Sequence, residues 1–160
     1  MPRGSRLILD NACYHLMARG NQKQSTFIED DDFIRYLELL KHYKRKYCFK
    51  LYGYCLMPNH VHLIVELEKS SILGKIMQGL NLAYAVWFNK KYNKVGHLWQ
   101  GRYKSRLIQK DQYLLDCIKY VEFNPIRSKM NQSPFDYPWS SWRERMGYKQ
   151  DNLLDFPSLS

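Results

Sequence analysis

Two runs rich in aromatic and β-branched residues, Phe49–Met57 and Val61–Leu67, flank a Pro58-Asn59 pair. Such a pattern reads as two strands joined by a short connection. In the second run the side chains alternate, so that Val61, Leu63, Val65 and Leu67 share one face while His60, His62, Ile64 and Glu66 share the other. Because a strand has period two, burying the aliphatic set fixes the register and aims both histidines away from that core.

The flanking sequence supplies the partners for this hairpin. Ala12–Arg19 alternates loosely and ends at Gly20-Asn21, a strand closed by a turn. Asp30 to Asp32 can cap a helix whose apolar residues Phe33, Tyr36, Leu37, Leu40 and Tyr43 recur at helical spacing down to about Tyr47. After the hairpin, Ser70 or Ser71 can cap a longer helix carrying Leu73, Ile76, Met77, Leu80, Tyr84, Trp87 and Phe88, fading near Tyr92-Asn93. Tyr103–Ile108 then reads as a strand with Lys104 and Arg106 on one side. The order strand, helix, strand, strand, helix, strand is the split β-α-β pattern of an α+β, ferredoxin-like fold, an antiparallel sheet with two helices on one face and the other face available. Asp111 can cap an added helix with Leu114, Cys117, Ile118 and Val121 as its buried stripe, stopping near Asn124 before Pro125. Ser141 and Glu144 stand at capping-box spacing for a last short helix. One domain is expected over 1–147, followed by a C-terminal tail at 148–160.

At 160 residues the chain fits one domain with a sizeable core. Lysine and arginine total 25 against 15 acidic residues, a formal charge of +10 spread along the chain, which favours a polyanionic partner. No apolar run approaches bilayer length and no basic amphipathic anchor is evident, so nucleic acid is preferred to a membrane. The apolar stretch Leu7-Ile8-Leu9 is too short for a secretory signal, and a cytoplasmic location is expected. Cys13, Cys48, Cys55 and Cys117 lack CxxC spacing and read as small buried hydrophobes rather than disulfides or a zinc ribbon.

His60-Val61-His62 is the sharpest chemical signal, since alternation brings two imidazoles to one face, close enough to share a metal. Two hydrogen-bonded histidines on a half-exposed strand would give the same tripeptide. On the added helix Tyr113, Tyr120 and Asn124 fall on one edge of the apolar stripe, where a nucleophile and a metal ligand could sit, and periodicity does not choose between the two tyrosines. Trp99, Arg102, Tyr103, Lys104 and Arg106 combine rings for base stacking with cations for phosphates, a pairing suited to single strands, although a basic strand beside a core tryptophan looks the same. Arg19, on the strand face of His15 and Met17, could also approach a phosphate. His15, His42 and His97 read as structural or surface histidines.

Taken in order, Met57-Pro58-Asn59-His60-Val61-His62-Leu63, Leu98-Trp99-Gln100-Gly101-Arg102-Tyr103-Lys104-Ser105, Tyr120-Val121-Glu122-Phe123-Asn124-Pro125-Ile126-Arg127 and Tyr137-Pro138-Trp139-Ser140-Ser141 resemble the HUH-type single-tyrosine transposases, most closely the REP-associated branch. The likeness runs from about Asn11 to Gly147. It implies a divalent metal, Mg2+ or Mn2+, held by His60 and His62, with Asn124 completing the shell where the broader family commonly has glutamine. It implies Tyr120 as nucleophile, forming a 5′-phosphotyrosine link on single-stranded DNA with a hairpin or palindromic repeat. A monomer or weak homodimer is expected. Two other readings fit the charge and the sheet: a non-catalytic nucleic-acid-binding module, though RNP aromatic signatures are missing, and a metal nuclease that uses water.

Overall fold

The computed structural model describes residues 9–109, 112–149 and 151–158. In chain order the elements are β1 (Ala12–Arg19), α1 (Asp30–Tyr47), β2 (Lys50–Met57), β3 (His60–Leu67), α2 (Leu73–Tyr92), β4 (Lys104–Ile108), α3 (Gln112–Glu122), α4 (Asn124–Arg127) and α5 (Trp142–Arg145). The strands form one sheet in the order β2-β3-β1-β4, with every neighbour antiparallel. Helices after β1 and β3, with β4 returning beside β1, make this the ferredoxin-like arrangement.

Strand alternation sorts the side chains into two cores. Tyr14, Leu16, Val61, Leu63, Val65, Tyr54 and Leu56 face α1 and α2, where they meet Tyr36, Leu40, Ile76, Leu80, Tyr84 and Phe88. At Gly79 an added Cβ would stand 2.7 Å from the Tyr43 ring, so the bare backbone is what lets the two helices approach there. Helix α1 is capped one residue before the aspartates: Glu29 is the N-cap, and its capping box is closed by Asp32. Asp32 is fully buried, accepting from the Ile28 and Glu29 backbone amides at 2.8 and 3.1 Å, from Lys91 at 2.6 Å and from Tyr92 at 2.6 Å. Burial alone would raise its pKa, but these four donors favour the carboxylate more, and the net shift is downward.

The other face of the sheet is not left open. Helix α3 lays Leu114, Ile118 and Val121 onto Cys13, Cys55, Met57, Ile64 and Ile108, a second core that Tyr137 completes. Its C-terminal end is anchored by Glu122, which is 2% exposed. Both carboxylate oxygens of Glu122 lie 3.0 Å from Arg145 Nε, and Ser141 Oγ donates to Oε2. Burial pushes the Glu122 pKa up, against the pull of Arg145 and Ser141. The same serine accepts from the Tyr54 amide at 2.9 Å, so it holds β2 and α3 together instead of capping α5, which has no side-chain cap.

Residues 148–160, expected as a tail, are built into the fold where they are described. Leu153 and Leu154 are buried against the helix-side core, Asp155 exchanges hydrogen bonds with Leu51 at 2.8 and 3.0 Å, and Lys44 pairs with Asp155 at 2.8 Å. Together with Ser140, bridged to Cys55, this segment covers the outer edge of β2. Of the four cysteines, Cys13 and Cys55 are buried as expected, whereas Cys48 is exposed at the C-cap of α1 in a left-handed conformation.

Candidate active site

The β1–β3 register sets Arg19 opposite His60 and Met17 opposite His62, and the β1–β4 register sets Arg106 opposite His15 and Lys104 opposite Met17. By alternation, His15, Met17, Arg19, His60, His62, Lys104 and Arg106 therefore all face the α3 side of the sheet. A groove of about 1080 Å³ runs between β4 and α3, and His15, His62, Lys104, Arg106, Tyr113, Asp116 and Tyr120 all line it. Tyr113, Asp116 and Tyr120 belong to one face of α3, at spacings of three and four residues.

His60 and His62 stand with ring centroids 5.0 Å apart and planes at 85°. In each ring Nδ1 already has a neighbour: Asn59 Oδ1 at 2.7 Å for His60, and His15 Nε2 at 2.8 Å for His62. A carbonyl oxygen only accepts, so His60 donates from Nδ1 and carries its lone pair on Nε2. Burial lowers all three imidazole pKa values, to about 4 for His15 and His60 and about 3 for His62. Neighbouring groups add to this: Arg106 acts on His15 and Arg19 on His60, while for His62 a proton on either neighbouring imidazole would oppose a second one, and Arg127 and Arg19 act in the same direction. Neutral rings are the ligating form, so this donor pair fits a divalent metal. Among the described residues no group of three His, Cys, Asp or Glu side chains could hold a metal, so further ligands would have to be other groups.

Tyr120 is 55% exposed, and the Arg127 guanidinium carbon lies 3.6 Å from its ring centroid, a stacked cation–π contact. The helix does not run on to Asn124, as its spacing suggested. It ends at Glu122, Phe123 turns the chain, and Asn124 opens α4. Asn124 is 9% exposed, its Oδ1 accepts from Ser128 Oγ at 3.2 Å, and it is not among the groove-lining residues.

The candidate DNA-contacting residues divide. Lys104 and Arg106 are exposed on the groove, and Arg19 is exposed beside His60. Trp99 packs against Tyr36 and Tyr84 in the helix-side core and donates from Nε1 to the Asn81 carbonyl at 3.1 Å. Tyr103 is 6% exposed and contributes to that same core, on the opposite side of the sheet from Lys104. Both rings pack against neighbours from α1 and α2, remote in sequence, while Tyr103 also borders the groove between β4 and α3 and both border the groove beside α2. Arg102 is exposed on a separate groove beside α2. His15, read from sequence as structural, is instead part of the site. Its face was legible from alternation in β1, but the register that brings it to His62 was not.

A ferredoxin-like sheet with a histidine pair and a tyrosine helix over the same face defines a class of DNA-rearranging proteins, and comparison with known proteins gives the family. The model of the IS200-like transposases matches residues 9–124, and the chain belongs to that family. A Haemophilus influenzae protein assigned to the REP-associated tyrosine transposases is 27% identical over 111 residues, covering 60% of this chain and 60% of that relative. A solved REP-associated tyrosine transposase bound to a REP hairpin superposes with a TM-score of 0.76 at 15% identity, over 100% of this chain and 92% of that one. A Deinococcus radiodurans R1 structure assigned as a transposase superposes at 0.51 with 17% identity, over 76% and 95%. The structural likenesses show the shared fold. No helix among the described residues is long and apolar enough to cross a membrane.

Proposed function

We propose that the groove between α3 and β4 is where single-stranded DNA is cut and rejoined, with Tyr120 as nucleophile and His60 and His62 as ligands of Mg2+ or Mn2+. The observation that carries this reading is that the exposed Tyr120 and the buried His62 border one groove whose facing wall carries Lys104 and Arg106. Because one chain supplies both the tyrosine and the histidine, a monomer or weak dimer suffices. A relative of the same fold was solved with a REP hairpin, and hairpin DNA with a single-stranded flank is the substrate class proposed for this protein.

Lys104 and Arg106 would hold the phosphates leading to the scissile bond, and Arg19 those beside His60, by charge rather than by base identity. A metal on the imidazole pair would supply charge neutralisation at the non-bridging phosphate oxygens. Asn124 would join the two histidines through its Oδ1, which accepts from Ser128 Oγ with one lone pair and keeps a second. The Tyr120 oxygen attacks phosphorus in line with the 3′-oxygen. The phosphorus–3′-oxygen bond breaks as the phosphorus–tyrosine bond forms, and the proton lost by the phenol is balanced by the one the 3′-oxygen gains. Arg127, stacked on the ring, keeps a cation beside the developing phenolate. A second 3′-hydroxyl can then attack the 5′-phosphotyrosine and restore a phosphodiester without ATP.

The test is incubation of an internally labelled hairpin oligonucleotide with the protein and Mn2+, run on a denaturing gel. A protein-linked labelled band, lost in Tyr120→Phe while Tyr113→Phe retains it, is the expected result. Cutting without a linked band would point to a water-using nuclease, and binding without cutting to a non-catalytic module; either overturns the proposal.

A further inference from the structure

We propose that His15 is the positioning residue that makes His62 a metal ligand, by holding it in the tautomer whose Nε2 carries a lone pair. This rests on the metal reading above. His15 Nε2 lies 2.8 Å from His62 Nδ1, with the rings 5.0 Å apart and tilted by 34°. The contact is dictated by the sheet: Met17 is the register partner of His62, and His15, two residues before it on the same face, reaches His62 diagonally across the β1–β3 pair.

A neutral imidazole has one N–H and one lone pair. Of two neutral rings joined nitrogen to nitrogen, one must donate. If His62 donates from Nδ1, its Nε2 is left with the lone pair a metal needs. If His15 donates instead, His62 accepts through Nδ1 and its Nε2 bears a hydrogen, which excludes ligation. The tautomer of His15 therefore decides whether His62 can bind. His60 has the same arrangement in simpler form, because Asn59 Oδ1, 2.7 Å from His60 Nδ1, can only accept. His15 and Asn59 thus play parallel parts on neighbouring rings, each engaging Nδ1 so that Nε2 is presented. His15 is not a third ligand in this geometry, since its Nε2 is committed to the far side of the His62 ring from the ligating nitrogen.

Two measurements on the whole 160-residue chain test this, neither of them activity. In the first, Mn2+ binding is followed by the electron paramagnetic resonance signal of the free ion. Wild type should bind at a site that His60→Ala abolishes, His15→Phe should weaken it roughly 10- to 100-fold, and His15→Gln, whose carbonyl can accept the Nδ1 hydrogen, should stay near wild type. In the second, long-range proton–nitrogen correlation spectra of the metal-free wild type should report His62 as the Nδ1–H tautomer, a readout that needs no variant to fold. Wild-type affinity in His15→Phe, or an Nε2–H tautomer at His62, overturns the positioning role alone. A loss in His15→Gln equal to that of His60→Ala would make His15 a direct ligand instead. Equal binding by wild type and His60→Ala would remove the metal site itself, and this proposal with it.

Discussion

The sheet and α3 bury His62 and partly bury His15 and His60, and this has a consequence for stability. Each holds its proton less tightly in the folded chain than in the unfolded one, because burial disfavours the charged ring. Above the ordinary histidine pKa of about 6.5 both states are neutral and nothing is lost. Between about 6.5 and about 4 the unfolded chain binds protons that the folded chain refuses, so stability falls as pH falls across that window. Urea unfolding of the EDTA-treated protein at pH 7 and at pH 5 should give a lower midpoint at pH 5. The drop should shrink in a His60→Asn, His62→Asn double variant, and an unchanged drop would locate the responsible groups elsewhere. Within the same site, Tyr120 and Arg127 lie on the exposed side, where a cation–π contact contributes about 0.5–1 kcal/mol. Arg127→Ala should therefore slow adduct formation roughly two- to five-fold, measured as the initial rate of the covalent band.

At the scale of elements, two buried carboxylates fix the helices that carry and oppose the site. Asp32 ties the start of α1 to the end of α2, and Asp32→Ala would leave two backbone amides and the Tyr92 hydroxyl without their acceptor and Lys91 with Glu29 alone. A loss of roughly 2–3 kcal/mol is expected from chemical denaturation. Glu122 does the same for α3, and Glu122→Ala would strand a half-buried Arg145, at a cost of about 3–5 kcal/mol. In a double-mutant cycle the Glu122 and Arg145 changes should be strongly non-additive. These elements were largely legible in the sequence. Hydrophobic period alone located four strands and the three long helices to within a few residues, and alternation put His60 and His62 on the face away from the helix-side core. The anchors were not legible. Ser141 stands at capping-box spacing from Glu144, yet its hydroxyl is drawn to Glu122 and Tyr54, partners far away in sequence that no local pattern reveals. For the same reason α3 was read through to Asn124, although the turn at Phe123 diverts the chain, and the choice between base stacking and core packing for Trp99 and Tyr103 stayed open until α1 and α2 supplied a core against both.

For the whole molecule, the formal charge of +10 matters through where it is displayed. Lys104 and Arg106 lie on the site face of β4, the edge strand, whose outer side has no strand beside it among the described residues. The opposite edge, β2, is covered by Trp139, Ser140 and Ser141 together with Asp155. On the proposed function, a single strand entering from the β4 side would meet the basic wall before Tyr120, whereas Arg102, on the groove beside α2, would lie off that route. Each phosphate contact made along a single strand releases counterions, and removing one should lower the slope of log binding constant against log salt by about 0.7. Fluorescence anisotropy with a hairpin carrying a single-stranded flank, titrated in KCl, should show that decrement for Lys104→Ala and again for Arg106→Ala. Arg102→Ala should leave the slope unchanged. If these contacts are to phosphate, as proposed, both substitutions should weaken different flank sequences alike. If Arg102→Ala lowered the slope as much as Arg106→Ala, the strand would have to run across the helix face, and the groove between α3 and β4 would lose its claim to the DNA.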